Sequence, residues 1–297
     1  MNIKFTKLQG AGNDYLYLDA INDLPEQAAD DGSFYKELAV KISDRHFGAG
    51  SDGIIIILPP TAEGKLDAAD FRMRMFNADG SEGEMCGNGI RCFAKYVYDH
   101  HLTDKKIINV ETLAGIKTIE VFLSGGIVKE AKVFMGLPKF ETAQIPANFG
   151  KSEIIGEKIN VDGKDFEISC VSMGNPHCVT FVDDVKNFDV HYYGNLIENN
   201  KMFPKRINVE FVQVLDGKNV LVRTWERGSG ETLACGTGAC AVYSVMRKTE
   251  KIKQNELNVN LYGGTLKISG ELNEGVYMVG PAEEVFTGYF NFNYKTQ

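Results

Sequence analysis

Two short segments of this chain set a cysteine before two glycines in the same way. Met85-Cys86-Gly87-Asn88-Gly89 and Ala234-Cys235-Gly236-Thr237-Gly238 share the pattern Cys-Gly-x-Gly, and the match extends upstream without gaps. Arg74, Phe76 and Glu82 precede Cys86 as Arg223, Trp225 and Glu231 precede Cys235, at a constant offset of 149 residues (86 to 235). Both halves therefore read Arg-x-aromatic-x5-Glu-x3-Cys-Gly-x-Gly. At a helix start, such a motif sets the thiol beside backbone N–H groups that lack intrahelical partners, at the positive end of the helix dipole. That setting is expected to lower the thiol pKa and raise the thiolate fraction near neutral pH. The same N–H groups can receive an anion such as a carboxylate, and the glycines let a ligand approach the backbone.

One such element alone commonly marks a structural turn. Two, related by an internal repeat, can act on one substrate. A carboxylate would receive N–H groups from both helix starts while the two sulfurs flank the adjacent α-carbon on opposite faces. One cysteine, as thiolate, removes the α-proton; the other, as thiol, delivers a proton from the far side, and configuration inverts. An amino-acid α-proton is a poor acid, so the developing carbanion needs preorganised electrostatics in a water-excluded site. The two thiols must also rest in unlike protonation states and titrate as a coupled pair. Nothing in this chemistry requires pyridoxal phosphate or another cofactor.

The elements that position these thiols follow from the same repeat. A unit of about half the chain, occurring twice, implies two similar lobes related by a pseudo-twofold axis rather than a solenoid of many short units. A second echo supports it: Gly12-Asn13 precedes the apolar stretch Asp14 to Leu18, and Gly174-Asn175 precedes Pro176 to Val182. Strands are expected at Gly53 to Leu58, Ile107 to Glu111, Lys117 to Leu123, Phe166 to Met173, Val209 to Leu215 and Val220 to Trp225. Helices are expected at Ser33 to Ile42, Ile90 to His100 and Ala239 to Lys248, the last two opened by the cysteine motifs. The fold class is α/β (α+β), with the lobe boundary near Lys132-Val133.

Composition bounds the alternatives. At 297 residues, the chain exceeds a typical single domain, and 43% hydrophobic with 24% charged residues is ordinary for a globular protein. A formal charge of −8 and a pI near 5.3 disfavour nucleic acid or an anionic membrane as partner. The N-terminus shows no signal-peptide apolar region, and Ile54 to Leu58 is too short to span a bilayer, so a cytoplasmic location is expected. Six cysteines with no Cys-x-x-Cys signal neither a zinc knuckle nor a thioredoxin-like pair. Cys92, Cys170, Cys178 and Cys240 read as small buried hydrophobes.

Several segments together resemble the diaminopimelate epimerase family nearly end to end. They are Gly10-Ala11-Gly12-Asn13-Asp14, Phe76-Asn77-Ala78-Asp79-Gly80-Ser81, Met85 to Cys92, Gly174-Asn175-Pro176-His177, Arg206-Ile207-Asn208-Val209, and Glu226-Arg227-Gly228 to Gly238. The resemblance implies two pseudosymmetric lobes, each with strands wrapped around a central helix, with the active site in the cleft between them and a homodimer in solution. It also implies that a strand near Glu284 to Tyr294 returns to the first lobe, giving lobes 1–132 plus 282–297 and 133–281. By the same resemblance Cys86 and Cys235 are the catalytic pair, and Gly87, Asn88, Gly236 and Thr237 bind the reacting carboxylate. Asn13, Asn77, Asn175, Asn208, Glu226 and Arg227 hold the substrate's two ends, while His177 and Glu226 tune the cysteines.

These roles suit a ligand with an amino-acid group at each end. Arg227 can fork onto a distal carboxylate; Asn77 and carbonyls near Glu226 can take a distal ammonium. Taken singly, an Asn beside Gly is more often a turn residue, and a lone His a structural one. Glu82 and Glu231 read as helix-start or loop-bracing groups. Many relatives carry Gln after the Asp of a Gly-rich turn, whereas here Asp52 is followed by Gly53, which has no side chain to donate. Two rivals stand beside this reading: a proline- or hydroxyproline-type racemase of the same fold, and a noncatalytic thiol or metal-binding protein using the six cysteines.

Overall fold

Strands account for most of the regular structure among the described residues, and two helices opened by the cysteine motifs lie among them. The computed structural model describes residues 1–24 and 32–294. Its first unit, Met1–Val133 with Gly280–Gln297, begins with β1 (Asn2–Gly10), β2 (Asn13–Asp19), α1 (Gly32–Ile42), β3 (Gly53–Leu58), α2 (Ala62–Leu66) and β4 (Phe71–Asn77). It continues with β5 (Glu82–Gly83), α3 (Gly87–Asp99), β6 (Ile107–Thr112), β7 (Gly115–Ser124) and β8 (Ile127–Gly136), which leads out of it.

Pairing runs β1–β2 antiparallel, β2–β3 parallel, β3–β4 antiparallel, β4–β6 parallel, then β6–β7 and β7–β8 antiparallel, with β5 folded back on β4. These strands wrap α3, which lies against β1, β2, β3 and β7 and is buried from Gly87 to Val97. Helix α1 packs on β3 and β4, where Ile54, Ile56 and Leu58 join Phe34, Tyr35 and Leu38 in one core. Strand β3 thus lies between two helices, which is why all six of its residues are buried and why its sequence shows an apolar run without alternation.

The second unit, Phe134–Val279, repeats the plan. It holds β9 (Glu157–Val161), β10 (Lys164–Ser172), β11 (Pro176–Phe181), α4 (Val190–Glu198), β12 (Asn208–Val214) and β13 (Asn219–Glu226). These are followed by β14 (Gly230–Thr232), α5 (Gly236–Lys248), β15 (Glu256–Leu261), β16 (Gly264–Glu271) and β17 (Gly275–Pro281). Pairing is β10–β11 antiparallel, β11–β12 parallel, β12–β13 antiparallel, β13–β15 parallel, then β15–β16 and β16–β17 antiparallel. Helix α5 lies against β10, β11, β12, β15 and β16, and α4 covers β12 and β13.

The chain closes with β18 (Glu283–Asn291), antiparallel to β1 from Asn2↔Asn291 to Gln9↔Glu283. It takes the place beside β1 that β9 takes beside β10. One strand of the repeat therefore precedes its unit in the second half and ends the chain in the first. The first unit extends one residue past the expected 132, and its return begins at Gly280 rather than at 282. Two contacts tie that stretch to the first unit: Arg91 Nε donates to Pro281 O at 3.3 Å, and Ala282 N to Lys129 O at 3.1 Å. The last three residues of the expected 282–297 segment lie outside the described residues. Helices α3 and α5 start three residues before the expected Ile90 and Ala239, because the glycines occupy the first turn instead of preceding it.

Phe292, just past β18, is 1% exposed and packs edge-on to Phe34 with ring centroids 5.4 Å apart. Its contacts fasten the chain's last strand to α1. Phe292→Ala is expected to lower stability by about 3–5 kcal/mol, read from urea unfolding; a loss within error of zero would show that the terminal strand contributes nothing to the core.

Candidate active site

Each cysteine stands at the end of a hairpin and caps a helix. In the first unit, Arg74 clamps Glu82 across β4 and β5, Nε to Oε1 at 2.8 Å and NH2 to Oε2 at 3.1 Å. In the second, Arg223 clamps Glu231 across β13 and β14 at 2.6 and 2.8 Å. The repeated Arg and Glu are thus partners, and the pair braces the hairpin that delivers the thiol. Cys86 is the N-cap of α3 with extended backbone (φ −125°, ψ 122°), and Cys235 the N-cap of α5 (φ −115°, ψ 112°). Gly89 N donates to Cys86 Sγ at 3.4 Å and Gly238 N to Cys235 Sγ at 3.3 Å. Gly87 and Gly236 open the helices, so first-turn N–H groups surround each sulfur.

Around Cys86 the partners are an amide and two carboxylates. Cys86 Sγ donates to Asn13 Oδ1 at 3.1 Å, and Asn13 Nδ2 donates to Asp52 Oδ2 at 2.6 Å. Arg45 NH2 reaches both Asp52 Oδ1 and Asp14 Oδ1 at 2.9 Å, while Lys7 Nζ lies 2.7 Å from Asp14 Oδ2. Burial and the neighbouring Asp14 charge hold the Asp52 carboxyl above its ordinary pKa. For Asp14 burial acts upward too, but Arg45 and Lys7 outweigh it and the net direction is down. Tyr15, buried beside Cys86 and Asp52, has its phenol pushed well above its usual range, chiefly by burial.

Asn88 Oδ1 accepts from Arg91 NH1 at 2.9 Å inside α3. Asn77 sits in the β4–β5 turn, its Nδ2 donating to Ser81 Oγ at 3.0 Å. Gly53, paired with Asn77 across β3 and β4, has no room for a side chain: a Cβ there would lie 2.1 Å from Phe76 O.

Around Cys235 the partners differ. Its Sγ is 3.4 Å from Thr237 Oγ1, which accepts from Asn175 Nδ2 at 3.3 Å. Asn175 Oδ1 is 3.0 Å from His177 Nε2, and His177 Nδ1 is 2.7 Å from Glu210 Oε1. Glu226 accepts from Thr232 Oγ1 at 2.6 Å; burial raises its carboxyl pKa. Asn208 is fixed at both ends, Nδ2 donating to Pro176 O at 2.8 Å and Oδ1 accepting from Arg227 N at 2.9 Å. Arg227 is exposed, with NH1 donating to Lys205 O at 3.2 Å.

One expectation is overturned here. The helix start was expected to lower the thiol pKa, yet the Cys235 thiol is held well above its ordinary value. Burial is the main cause, followed by the Glu226 and Glu210 carboxylates; the contacts with Thr237 and Gly238 act downward but lose. The sequence reading also passed over Glu210, Asp52, Arg45 and Tyr15. Glu210 left a signal, as a lone charge in the apolar run Val209 to Val212, and so did Asp52 at the start of β3. Among the described residues, no group of three or more His, Cys, Asp and Glu side chains is placed to hold a metal ion, and no helix is long and apolar enough to cross a membrane.

The family described as "Diaminopimelate epimerase" matches residues 5–140 and 169–285. A diaminopimelate epimerase of Acetivibrio thermocellus is 48% identical over 292 residues, covering 98% of this chain and 99% of the relative. Another, of Agathobacter rectalis, is 49% identical over 295 residues, covering 96% and 98%. Among solved structures, a hydroxyproline epimerase from Agrobacterium vitis with bound trans-4-hydroxy-L-proline superposes with a TM-score of 0.69 over 97% of this chain and 92% of its own. At 10% identity that likeness shows the fold alone.

Because Glu226 is one of the charges that hold Cys235 protonated, Glu226→Gln is expected to shift Cys235 alkylation to lower pH. Iodoacetamide labelling of the ligand-free protein, resolved by peptide mass spectrometry, reads this directly. In the unaltered protein Cys235 is expected to react half-maximally above the ordinary thiol value of about 8.5; half-reaction at or below it would contradict the stated direction.

Proposed function

We propose, from the premise that this chain belongs to the diaminopimelate epimerase family, that Cys86 and Cys235 are the two proton carriers of its reaction. The protein is an isomerase that interconverts LL- and meso-2,6-diaminopimelate in lysine biosynthesis. The observation that supports the two-cysteine reading is the matched N-cap geometry of both sulfurs. Each accepts from the N–H three residues on, at 3.4 and 3.3 Å.

In this reading the substrate's reacting carboxylate lies against first-turn N–H groups of Gly87-Asn88 and Gly236-Thr237. Partial positive charge there offsets the negative charge that builds up as the α-proton leaves. One sulfur, as thiolate, forms an S–H bond with the α-proton, and the C–H electron pair passes into the carbon and its carboxylate. The opposite thiol then gives its proton to the other face and becomes the thiolate. Protons and charge balance between the sulfurs, so the reaction consumes no cofactor. Asn13 and Asn175, bonded to Cys86 and to the cap residue Thr237, hold the reacting end.

The distal end falls to Asn77, Glu226, Arg227 and Asn208. Arg227 reaches out from the β13–β14 turn with its backbone N–H held by Asn208 and would pair with the far carboxylate. His177 and Glu226 tune Cys235. A distal site of this kind favours a substrate with two amino-acid ends over proline or hydroxyproline. Reducing conditions of the cytoplasm would keep both thiols available.

The reading also includes a homodimer. Its support is the exposed apolar side chains of Val285, Phe286 and Tyr289 on β18, whose registered strand partner is β1. Sedimentation velocity is expected to give twice the 32.9 kDa chain mass; a monomer at micromolar concentration would reject it.

Incubation with LL-diaminopimelate in deuterated water should yield meso product with deuterium at the α-carbon. Cys86→Ala and Cys235→Ala should each lose about a thousandfold or more in turnover, with melting temperature close to the unaltered protein. Ordinary reversible turnover by either variant removes that cysteine from the mechanism, and turnover of proline with none of diaminopimelate removes the substrate.

A further inference from the structure

Behind the Cys235 cap lies an ion pair sealed from solvent. The side chains of His177 and Glu210 are both fully buried, with Nδ1 and Oε1 2.7 Å apart. The imidazole's other nitrogen, Nε2, faces Asn175 Oδ1 at 3.0 Å; Asn175 Nδ2 donates to Thr237 Oγ1 at 3.3 Å, and Thr237 Oγ1 lies 3.4 Å from Cys235 Sγ. An unbroken line of polar contacts thus runs from Glu210 to the sulfur.

Both ring nitrogens in this line face oxygens that accept, a carboxylate on one side and an amide carbonyl on the other. Beside an ionised Glu210, neutral imidazole with its single N–H would leave one nitrogen lone pair opposed to an oxygen lone pair, whereas the imidazolium satisfies both. Its charge is matched by Glu210, whose second oxygen, Oε2, is buried without a hydrogen-bond partner. The bond to His177 therefore anchors the carboxylate, and a buried ion is tolerated when it is so paired.

The first unit has nothing like it at the same place. Phe76 pairs with Ile54, and its repeat partner Trp225 pairs with Val209, so the following residues, Ile55 and Glu210, are equivalent. A Cβ on Gly89 would fall 2.7 Å from Ile55 Cδ1, and one on Gly238 2.6 Å from Glu210 Oε1. Each underlies the first turn of its helix. Two residues past the repeated Asn13 and Asn175 stand Tyr15 and His177. Ile55 and Tyr15 in one unit are thus answered by an ion pair in the other.

We infer that Glu210 is a positioning residue: it keeps His177 doubly protonated and aimed, through Asn175 and Thr237, at Cys235, so that two thiols with matched backbones differ in how they hold a proton. The ionisable groups facing this pair are Glu226 from β13, Cys235 at the start of α5 and Cys178 on β11. The consequence for catalysis rests on Cys235 as a proton carrier; the state of the ring does not.

The test is 15N NMR of the histidine-labelled full chain, with the His177 signals assigned through His177→Gln. Both ring nitrogens are expected to carry a proton in the ligand-free protein, each seen as an N–H signal. Glu210→Gln is expected to remove one of those N–H signals, lower kcat by about tenfold and shift the limbs of the kcat/KM pH profile. Glu210→Asp, which restores the charge but not the reach, is expected to recover part of the ring signal.

A neutral His177 ring in the unaltered protein, or a Glu210→Gln variant with unchanged ring signals and pH profile, would overturn the inference. If Glu210→Gln fails to fold, the ring signals of the unaltered protein still decide. Full turnover by Cys235→Ala would instead remove the two-cysteine reading and leave the ring measurement standing.

Discussion

The placement of a thiol at a helix N-cap governs the rest of this structure. Ser, Thr, Asp and Asn cap well because their oxygens accept strongly from first-turn N–H groups; sulfur accepts weakly, so α3 and α5 gain little from their own caps. Both helices are instead enclosed by strands, α3 being buried from Gly87 to Val97 and α5 over most of its length. That enclosure has an electrostatic consequence. A helix terminus stabilises a charge by at most about 2 kcal/mol, near one and a half pKa units, whereas full burial can move a pKa by about 3–5 units the other way. Where the two compete at Cys235, joined by nearby carboxylates, burial wins and the thiol form prevails in the free protein.

Inversion of a carbon centre needs likeness and unlikeness at once. The groups that hold the carboxylate and flank the carbon must match, and the proton carriers must not. In the proposed mechanism the backbone supplies the first requirement through the repeated hairpin, cap and glycine turn. Side chains supply the second. Asn13 leads from Cys86 to Asp52, Arg45, Asp14 and Lys7, at the partly exposed start of β3. Asn175 leads from the Cys235 cap to His177 and Glu210, whose own side chains have no exposed surface. Equivalent amides therefore end on a partly hydrated ion network in one unit and a dry ion pair in the other.

How much of this was legible in sequence depended on how local each signal was. The two cysteines, their helices and the strand before Cys235 were readable because their spacing is fixed within one hairpin and one helix turn, whereas β4 before Cys86 was not among the expected strands. Glu210 and Asp52 were visible only as charges beside apolar runs, and their partners were not. They meet His177 and Asn13 through parallel pairing, His177 beside Asn208 in β11–β12 and Tyr15 beside Gly53 in β2–β3; such a register is set by the tertiary fold and leaves no local pattern. The direction of the Cys235 shift was missed for a related reason. A helix start can be seen in sequence, but the carboxylates brought to it from β12 and β13 cannot.

Chemistry and selectivity also divide along the chain within each unit. The fold is shared with a hydroxyproline epimerase at 10% identity. The residues proposed to read the far end, Asn77, Glu226 and Arg227, lie at or just inside the turns joining β4 to β5 and β13 to β14. Each turn stands a few residues before its cysteine, and the Arg74–Glu82 and Arg223–Glu231 clamps fix both hairpins. A clamp of that kind ties tip and thiol into one rigid piece, so a turn sequence can change which distal group is read without disturbing the sulfur. The two turns themselves are unlike, Asn77-Ala78-Asp79-Gly80 against Glu226-Arg227-Gly228-Ser229, and that inequality is what a substrate with one fixed and one reacting stereocentre requires.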